Sequence, residues 1–360
     1  MRYMLSRSRT LLLQGPASFR VLNGNAVVLG GPVGRDRKLI VRQDKQLPIE
    51  AKSQVDMEIQ MGEAGSLFEV DGSTIPRSWE AAAGVLEEMS EGKVIVIGAT
   101  DVGKSTLCAF LTNEMTARQL EILVVDADIG QADIGPPTTM AKATPSGFLT
   151  SLVDLDPRKM IFVGHTSPGR VESKLIDGLK RLVVGHNHGI VLINTDGWVA
   201  DNAAILYKLS LIDAVKPDLV IGISSDGELH PVLSASRTKS LNIEASQIAL
   251  TRSRTERRGL RNASYRRFLD GGSIRSLYSG TVRISAPKGL PPHLLHTKQV
   301  QNLIVGLLDE EKYLLQIGVL LGSEKGVLRV YSREAEGARE LELGYVRLLP
   351  DGTELGYLEL

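Results

Sequence analysis

One stretch constrains the fold of this chain more than any other, namely VIVIGATDVGKST, residues 94–106. Its first four residues are all β-branched, which predicts a buried strand. The pattern G-x-x-x-x-G-K-[ST] follows at once, with Gly98, Gly103, Lys104 and Ser105 in register. Because a strand, a glycine-rich turn and a helix start in this order present backbone N–H groups to an anion, the stretch predicts a phosphate-binding loop.

The residue types of this loop suit a nucleoside triphosphate. Gly98 and Gly103 permit the tight backbone, Lys104 can reach the β- and γ-phosphates, and Ser105 can ligate Mg²⁺. We therefore expect ATP and Mg²⁺ as the bound groups. The other loop residues expected to contact the nucleotide are Thr100, Asp101, Val102 and Thr106.

Acidic side chains follow the next apolar strand, ILVVD. Asp126, Asp128 and Gln131 should lie just past the carboxyl end of that strand, beside the phosphate loop. One carboxylate can hold Mg²⁺ together with Ser105, directly or through water, while another accepts a proton from an attacking hydroxyl. Taken alone, either aspartate could instead cap a turn.

The pattern of apolar and turn residues changes twice along the chain. From Val94 to Ile223, apolar strands alternate with helical segments, which predicts a parallel sheet covered on both faces. Before residue 78 and after residue 270, short strands are separated by turn residues. The predicted fold is therefore α/β, with a P-loop parallel-sheet domain (79–270) between a small N-terminal β domain (1–78) and a small C-terminal β domain (271–360).

Composition removes some function classes. Lys+Arg and Asp+Glu both count 42, so any nucleic-acid binding must come from a local patch rather than from net charge. No apolar run approaches the roughly 18 residues of a spanning helix, so we expect no membrane segment and a cytoplasmic location. The single cysteine, Cys108, cannot form an internal disulfide and is interpreted as a core residue.

An arginine-rich segment supplies a candidate basic patch. Residues 252–267 contain seven arginines and one acid, Glu256. Such a run is usually a solvated helix face. In a phosphate-transfer protein it can also provide an arginine to the transferring group or attract a nucleic-acid backbone.

Five sequence elements, in order, resemble the polynucleotide 5′-hydroxyl kinases, whose eukaryotic members act in tRNA splicing, mRNA 3′-end formation and ribosomal-RNA processing. The elements are GATDVGKST (98–106), DADIGQ (126–131), GHTSPG (164–169), TDGW (195–198) and RSRTERRGLR (252–261). The layout of a central kinase domain between two β domains is similar as well.

The resemblance implies roles for individual residues. Lys104 and Ser105 would hold the ATP phosphates and Mg²⁺, and Asp128 would position and activate the 5′-hydroxyl. Gln131 and Thr166 would line the acceptor side of the cleft, and Trp198 would stack on the terminal nucleotide.

The resemblance also implies a lid formed by Arg252 and Arg257. The spacing leaves Arg254 and Arg258 as an alternative pair. The family often has Pro where this chain has Asp196, which leaves the local charge at that position open.

These observations predict an ATP-dependent kinase that phosphorylates the 5′-hydroxyl of RNA, with DNA as a second candidate acceptor. Two alternatives stay open from the sequence: a nucleotide-bound RNA-processing scaffold without turnover, and an NTPase assembly switch that transfers phosphate to water. RNA-processing proteins are candidate partners, and a monomer is the expected oligomeric state.

Overall fold

The computed structural model describes residues 1–359 except 44, 187, 225–226, 279, 288–289, 291–297 and 325. Within this part, a central sheet with helices on both faces lies between two β regions, so the predicted fold class is confirmed. The exact domain limits at residues 78 and 270 stay predictions.

The N-terminal region consists of short strands in two sheets. The strands are β1 (Arg2–Leu5), β2 (Arg9–Gln14), β3 (Ala17–Asn23), β4 (Ala26–Val28), β5 (Gly31–Pro32), β6 (Leu39–Val41), β7 (Gln46–Ala51), β8 (Val55–Met61) and β9 (Ser66–Asp71). Their orders are β1-β8-β3-β6 and β5-β4-β7-β2-β9. In β8, Val55, Met57 and Ile59 are buried and alternate with less buried neighbours, as expected for a strand with one face on a core.

The central region alternates strands and helices. Its elements are α1 (Arg77–Met89), β10 (Gly92–Gly98), α2 (Lys104–Ala117), β11 (Ile122–Ala127), β12 (Thr139–Ala143), β13 (Lys159–Phe162), α3 (Glu172–Val183), β14 (Ile190–Thr195), α4 (Asn202–Val215), β15 (Leu219–Ser224), α5 (His230–Ala235), β16 (Ser240–Glu244) and α6 (Arg254–Leu269). The strand order is β13-β12-β11-β14-β10-β15-β16. Five of these strands, β10, β11, β14, β15 and β16, are parallel to their neighbours in that set.

The sheet also contains one antiparallel strand, β12, which the sequence pattern did not predict. β12 runs antiparallel to both β11 and β13, so β13 (KMIF) has the same direction as β11. A parallel return needs a crossover, usually a helix, whereas residues 128–138 form an irregular loop between β11 and β12. The residues of β12, TMAKA, form no continuous apolar run, so the pattern does not reveal this strand.

The strand β10 is buried on both faces. Val94 and Val96 belong to a core that includes α1 and α2, whereas Ile95 and Ile97 belong to the core that includes α3 and α4. The phosphate loop therefore follows a strand that is fixed from both sides.

The C-terminal region is one sheet. Its strands are β17 (Ser273–Tyr278), β18 (Arg283–Ser285), β19 (Leu303–Leu308), β20 (Leu314–Glu324), β21 (Val327–Ser332), β22 (Glu340–Leu348) and β23 (Glu354–Tyr357), in the order β17-β21-β20-β19-β22-β18 with β23 paired to β22. Tyr265 and Leu269 of α6 share a buried core with Ile304 and Ile317 of this sheet. The arginine-rich helix is thus anchored on the C-terminal sheet. No helix of the described residues has the length and hydropathy needed to cross a membrane.

Candidate active site

The phosphate loop occupies the carboxyl end of β10, between the ends of β14 and β15. Gly103 has a φ of 99°, a left-handed conformation that favours glycine, and it is the N-cap of α2. Lys104 opens the helix with its side chain largely buried, and Nζ donates to the Ala99 carbonyl (2.7 Å). Burial lowers the pKa of Lys104, and the nearby Asp128 opposes this effect. The loop therefore directs a helix N-terminus and an ammonium group to one place.

The loop also packs against the turn after β14. A Cβ atom on Gly197 would lie 2.6 Å from the backbone nitrogen of Thr100, so only glycine fits here without movement. The segment TDGW is consequently in direct contact with the phosphate loop.

The carboxylate of Asp126 is buried and accepts four hydrogen bonds. Its Oδ2 accepts from the backbone N–H groups of Asp133 (2.7 Å) and Ile134 (3.2 Å). Its Oδ1 accepts from the Asp128 N–H (3.2 Å) and from Asn194 Nδ2 (3.1 Å). Burial, with the charges of Asp133 and Asp128, raises the pKa of Asp126 to about 7. The carboxylate thereby organises the loop after β11.

Asn194 is a polar residue of the candidate site that the sequence reasoning missed. Besides Asp126, its Nδ2 also lies 3.3 Å from Ser105 Oγ. One amide thus connects the phosphate loop to the acidic loop. The signal was present, since Asn194 is a polar residue in an apolar strand, and the parallel register of β14 and β11 places it directly beside Asp126.

Asp128 and Gln131 lie in the wall of the cleft. Asp128 Oδ1 accepts from the N–H groups of Gly130 (3.0 Å) and Gln131 (2.9 Å), which fixes the carboxylate. Burial raises the pKa of Asp128, while the charge of Lys104 works in the opposite direction. A fixed carboxylate with a raised pKa is suited to accept a proton near neutral pH.

The two predicted lid arginines meet at one carboxylate of the phosphate loop. Asp101 Oδ2 accepts from the Arg252 backbone N–H (2.9 Å) and from Arg257 Nη1 (3.0 Å), and Arg252 Nη1 lies 3.5 Å from Asp101 Oδ1. The alternative pair lies elsewhere, because Arg254 is exposed and Arg258 donates to the Glu354 carbonyl. The structure therefore brings Arg252 and Arg257 to the phosphate loop.

Trp198 is half-buried at the end of the TDGW turn. Its ring stacks on Tyr207 with centroids 5.6 Å apart, and Nε1 donates to Asp201 Oδ2 (2.9 Å). The Trp198 backbone N–H donates to Asp196 Oδ1 (3.0 Å). Both the ring and the backbone of Trp198 are thus held in place.

Asp196 forms a buried ion pair that sequence reasoning did not foresee. Lys208 Nζ lies 3.0 Å from Asp196 Oδ1, and the side chains are 0% and 5% exposed. Tyr207 Oη donates to Asp196 Oδ2 (2.9 Å). The negative charge at this position is therefore paired inside the protein, beneath Trp198.

A cavity of about 570 Å³ is lined by many of these residues. Of the predicted residues, its wall includes Thr100, Asp101, Gly103, Lys104, Ser105, Thr106, Asp128, Gln131 and Arg252. Gly98, Val102, Asp126, Thr166, Trp198 and Arg257 lie outside that wall. Cationic side chains that the sequence reasoning did not select, Arg42, Lys45, Arg261 and Arg267, complete it. A concave, strongly basic site of this kind suits a polyphosphate.

The N-terminal region closes one side of this cavity. Lys45 Nζ pairs with Asp133 Oδ1 (3.2 Å), and Arg267 Nη2 of α6 lies 3.4 Å from the Asp133 carbonyl. The loop at 246–250 provides apolar lining through Ile248 and Leu250. The cleft is therefore built from the central sheet, the N-terminal region and α6 together.

Metal ligands are sparse in the described residues, where no three His, Cys, Asp or Glu side chains are grouped to hold an ion. A Mg²⁺ ion that accompanies a nucleotide needs only one or two carboxylates, because water and phosphate supply the other oxygens. Ser105 and Asp126, joined by Asn194, together with Asp128, match that smaller requirement.

Comparisons with known proteins agree with this geometry. Residues 98–271 match the family model described as the P-loop of mRNA cleavage and polyadenylation factor CLP1. The polyribonucleotide 5′-hydroxyl-kinase of Pyrococcus furiosus is 30% identical, covering 76% of this chain and 93% of that protein. The Pyrococcus abyssi kinase of the same name is 27% identical, covering 74% and 90%. A solved wild-type Clp1p–Pcf11p complex has the same fold, with a TM-score of 0.75 at 13% identity over 96% of this chain and 97% of that one.

Proposed function

The chain belongs to the family of polyribonucleotide 5′-hydroxyl kinases, and we propose that it transfers the γ-phosphate of ATP to the 5′-hydroxyl of an RNA strand. One observation carries the mechanism: Lys104 and Asp128 lie in the wall of a single basic cavity. A phosphate-binding cation and a proton acceptor are thus placed together. A scaffold without turnover has no use for a fixed proton acceptor there.

The reaction is an in-line exchange of one P–O bond for another. The 5′-oxygen of the RNA bonds to the γ-phosphorus while the bond from that phosphorus to the β–γ bridging oxygen breaks. The 5′-hydroxyl proton goes to the Asp128 carboxylate, and ADP is the leaving group. Catalysis of this kind depends chiefly on positioning and on neutralising charge.

The donor is held by the phosphate loop. The N–H groups at the start of α2 and the Lys104 ammonium group bind phosphate oxygens. Arg252 and Arg257 are held at the loop by Asp101, where they can neutralise charge on the transferring group. Arg42, Lys45, Arg261 and Arg267 add positive charge around the same cavity.

Mg²⁺ is the expected companion of ATP. When bound, the ion neutralises phosphate charge and orients the phosphates. Ser105 would be the direct protein ligand, and Asp128 and Asp126 would act at the ion directly or through water. The oxygens of Asp126 already accept hydrogen bonds from four donors, which favours an indirect role for that carboxylate.

The acceptor enters from the side of Gln131, Thr166 and Trp198. The partly exposed Trp198 ring, with Tyr207 behind it, offers an aromatic face to the terminal base. The Thr166 carbonyl packs against Gly130, and the Gln131 N–H donates to Asp128, the carboxylate that takes the proton.

Finer features belong to the same proposal. We expect DNA to serve as a second acceptor, the protein to be a cytoplasmic monomer, and RNA-processing proteins to bind it. The solved Clp1p neighbour forms a complex with Pcf11p, which supports the idea of a protein partner.

The test is a transfer assay with Mg²⁺, ATP labelled at the γ-phosphate, and matched RNA and DNA oligonucleotides that end in a 5′-hydroxyl. Label should appear at the 5′ end with the wild-type protein and be lost with Lys104→Ala, while circular dichroism shows that the variant is folded. Release of label to water, with none on the oligonucleotide, would instead support the NTPase switch.

A further inference from the structure

Tyr357 is an exposed aromatic residue of the C-terminal sheet that lies next to a predicted acceptor residue. Its side chain is in strand β23, and the residue is 38% exposed. The ring stacks on His165 with centroids 5.0 Å apart and an interplanar angle of 28°. The hydroxyls of Tyr357 and Thr166 lie 2.6 Å apart. The ring is therefore both accessible and fixed in orientation.

The segment 164–169 links this ring to the catalytic carboxylate. The Thr166 carbonyl packs against Gly130, where a Cβ atom would lie only 2.9 Å away. The Gly130 N–H in turn donates to Asp128 Oδ1 (3.0 Å). Tyr357 thus contacts Thr166, and Thr166 in turn contacts the loop that carries the proton acceptor.

The other end of the same segment contacts Trp198. A Cβ atom on Gly169 would lie 2.9 Å from the Trp198 ring. Two aromatic side chains, Trp198 and Tyr357, therefore stand at the two ends of one short segment, and Asp128 lies beside it. This arrangement suits a strand whose successive bases stack on separate rings.

The support of Tyr357 is rigid and its surroundings are basic. Glu354 of the same strand is 3% exposed and accepts from Arg261 Nε (2.8 Å). Burial, aided by Arg170, lowers the pKa of His165 to about 4, so the imidazole beneath the ring is neutral at physiological pH. Arg170 and Arg258 are exposed nearby and can attract a phosphate backbone.

We propose that Tyr357 stacks on an unpaired nucleobase of the acceptor strand, behind the terminal nucleotide that contacts Trp198. This inference rests on the proposed kinase function and extends its acceptor site onto the C-terminal sheet. The ligand is a nucleobase of any sequence, because every base offers a stacking face. Arg170 and Arg258 lie on the path of the connecting phosphates.

The kinetic test compares Tyr357→Ala, Tyr357→Phe and wild-type protein on acceptors of different length. With a 5′-hydroxyl RNA of ten nucleotides, Tyr357→Ala should raise KM for RNA about 5- to 100-fold, with the KM for ATP unchanged. Tyr357→Phe keeps the ring and should stay within about 3-fold of wild type. The distant, exposed Tyr278→Ala is the matched control and should behave as wild type.

A nucleoside 3′-monophosphate used as the acceptor separates lost stacking from damage to the active site. It has no second base, so Tyr357→Ala should phosphorylate it as fast as the wild-type protein does. Equal loss on both acceptors would mean that Tyr357 only supports the fold around Thr166, and the proposal would fail.

Single abasic substitutions locate the base. In fluorescence-anisotropy titrations, the wild-type protein should lose affinity when one base behind the terminal nucleotide is removed, and Tyr357→Ala should show no further loss at that position. Equal losses in both proteins at every position would overturn the proposal. Because these titrations need no turnover, they remain decisive if no label is transferred, an outcome that would refute the kinase function alone.

Discussion

The donor side and the acceptor side of the cleft are built in opposite ways. The proposed donor side is centred on one contiguous stretch, residues 98–106, in which the phosphate loop leads into the start of helix α2. The proposed acceptor side is assembled from residues 126–131, 164–169, 195–198 and 354–357. The first three segments adjoin the central sheet, and the last is a strand of the C-terminal sheet. The contact of Thr166 with Tyr357 joins two of these segments, and the ion pair of Asp196 with Lys208 anchors segment 195–198 on α4.

This difference indicates that specificity can change on the acceptor side of the cleft. A phosphate group is the same in every nucleotide, so one fixed loop serves all of them. The acceptor differs in sequence and length, and a site made of separate segments can change one contact without altering the phosphate loop. Asp128 lies where the two sides meet, and substitutions graded outward from it can test this division.

The largest effect is expected at Asp128 itself. Asp128→Asn keeps an oxygen for the Gly130 and Gln131 N–H groups but removes the proton acceptor, so kcat should fall about 10²- to 10⁴-fold. Calorimetry with ATP in the absence of Mg²⁺ should show nearly unchanged affinity. Because burial raises the pKa of this carboxyl, the wild-type kcat should decline as the pH falls through that pKa, whereas the residual activity of the variant should not. Wild-type turnover in Asp128→Asn would remove Asp128 from the mechanism.

The next effect concerns the stability of the acceptor side. Lys208→Met leaves the Asp196 carboxylate buried without its cation, so the free energy of unfolding should fall by about 3 to 5 kcal/mol. Urea unfolding measures this loss. The exposed Lys180→Met is the control and should change the value by less than about 0.5 kcal/mol. Equal stability of both variants would show that Trp198 does not depend on a buried charge.

Trp198→Ala should change the Michaelis constant for RNA but not the one for ATP, which would distinguish the acceptor side from the donor side. Loss of base stacking costs about 1 to 3 kcal/mol, so KM for RNA should rise while KM for ATP stays as in the wild type. Steady-state assays with each substrate varied in turn give both constants. A matching rise in the KM for ATP would contradict the division, since Gly197 would then be transmitting the change to Thr100 of the phosphate loop.

The smallest effect is expected at the lid. Asp101→Asn weakens the contacts with Arg252 and Arg257 by about 1 kcal/mol, a value typical of partly exposed ion pairs. Hydrogen exchange in the first turn of α6 should become about 5-fold faster, since 1.4 kcal/mol corresponds to a tenfold change. Unchanged exchange in the variant would mean that the C-terminal sheet alone orders the lid.

The sequence predicted the donor side in detail because its geometry is local. Adjacent residues fix the turn, and a strand before it and a helix after it follow from periodicity alone. The pairing of Asp126 with Asn194 was missed, because it depends on the register between β11 and β14, which no single segment reveals. The antiparallel strand β12 was missed because its residues, TMAKA, form no continuous apolar run.

The acceptor side could be predicted only in part. Resemblance to the kinase family identified Thr166 and Trp198, but the contacts of these residues are non-local. Tyr357 is 191 positions from Thr166, and neither periodicity nor composition distinguishes it from other strand tyrosines. Lys208 gave a usable signal, since a lysine in the middle of the apolar helix α4 needs a buried partner.

The ion pair between Arg261 and Glu354 has a consequence for the timing and entropy of catalysis. Because a buried carboxylate of β23 holds the middle of α6 through Arg261, we expect this helix to be ordered before nucleotide binds. The conformational entropy that is lost when α6 becomes ordered therefore reduces the free energy of unfolding and does not weaken ATP binding. Each turnover therefore begins with its arginines already near the phosphate loop, and heat that loosens the C-terminal sheet should weaken phosphate transfer before it melts the central sheet.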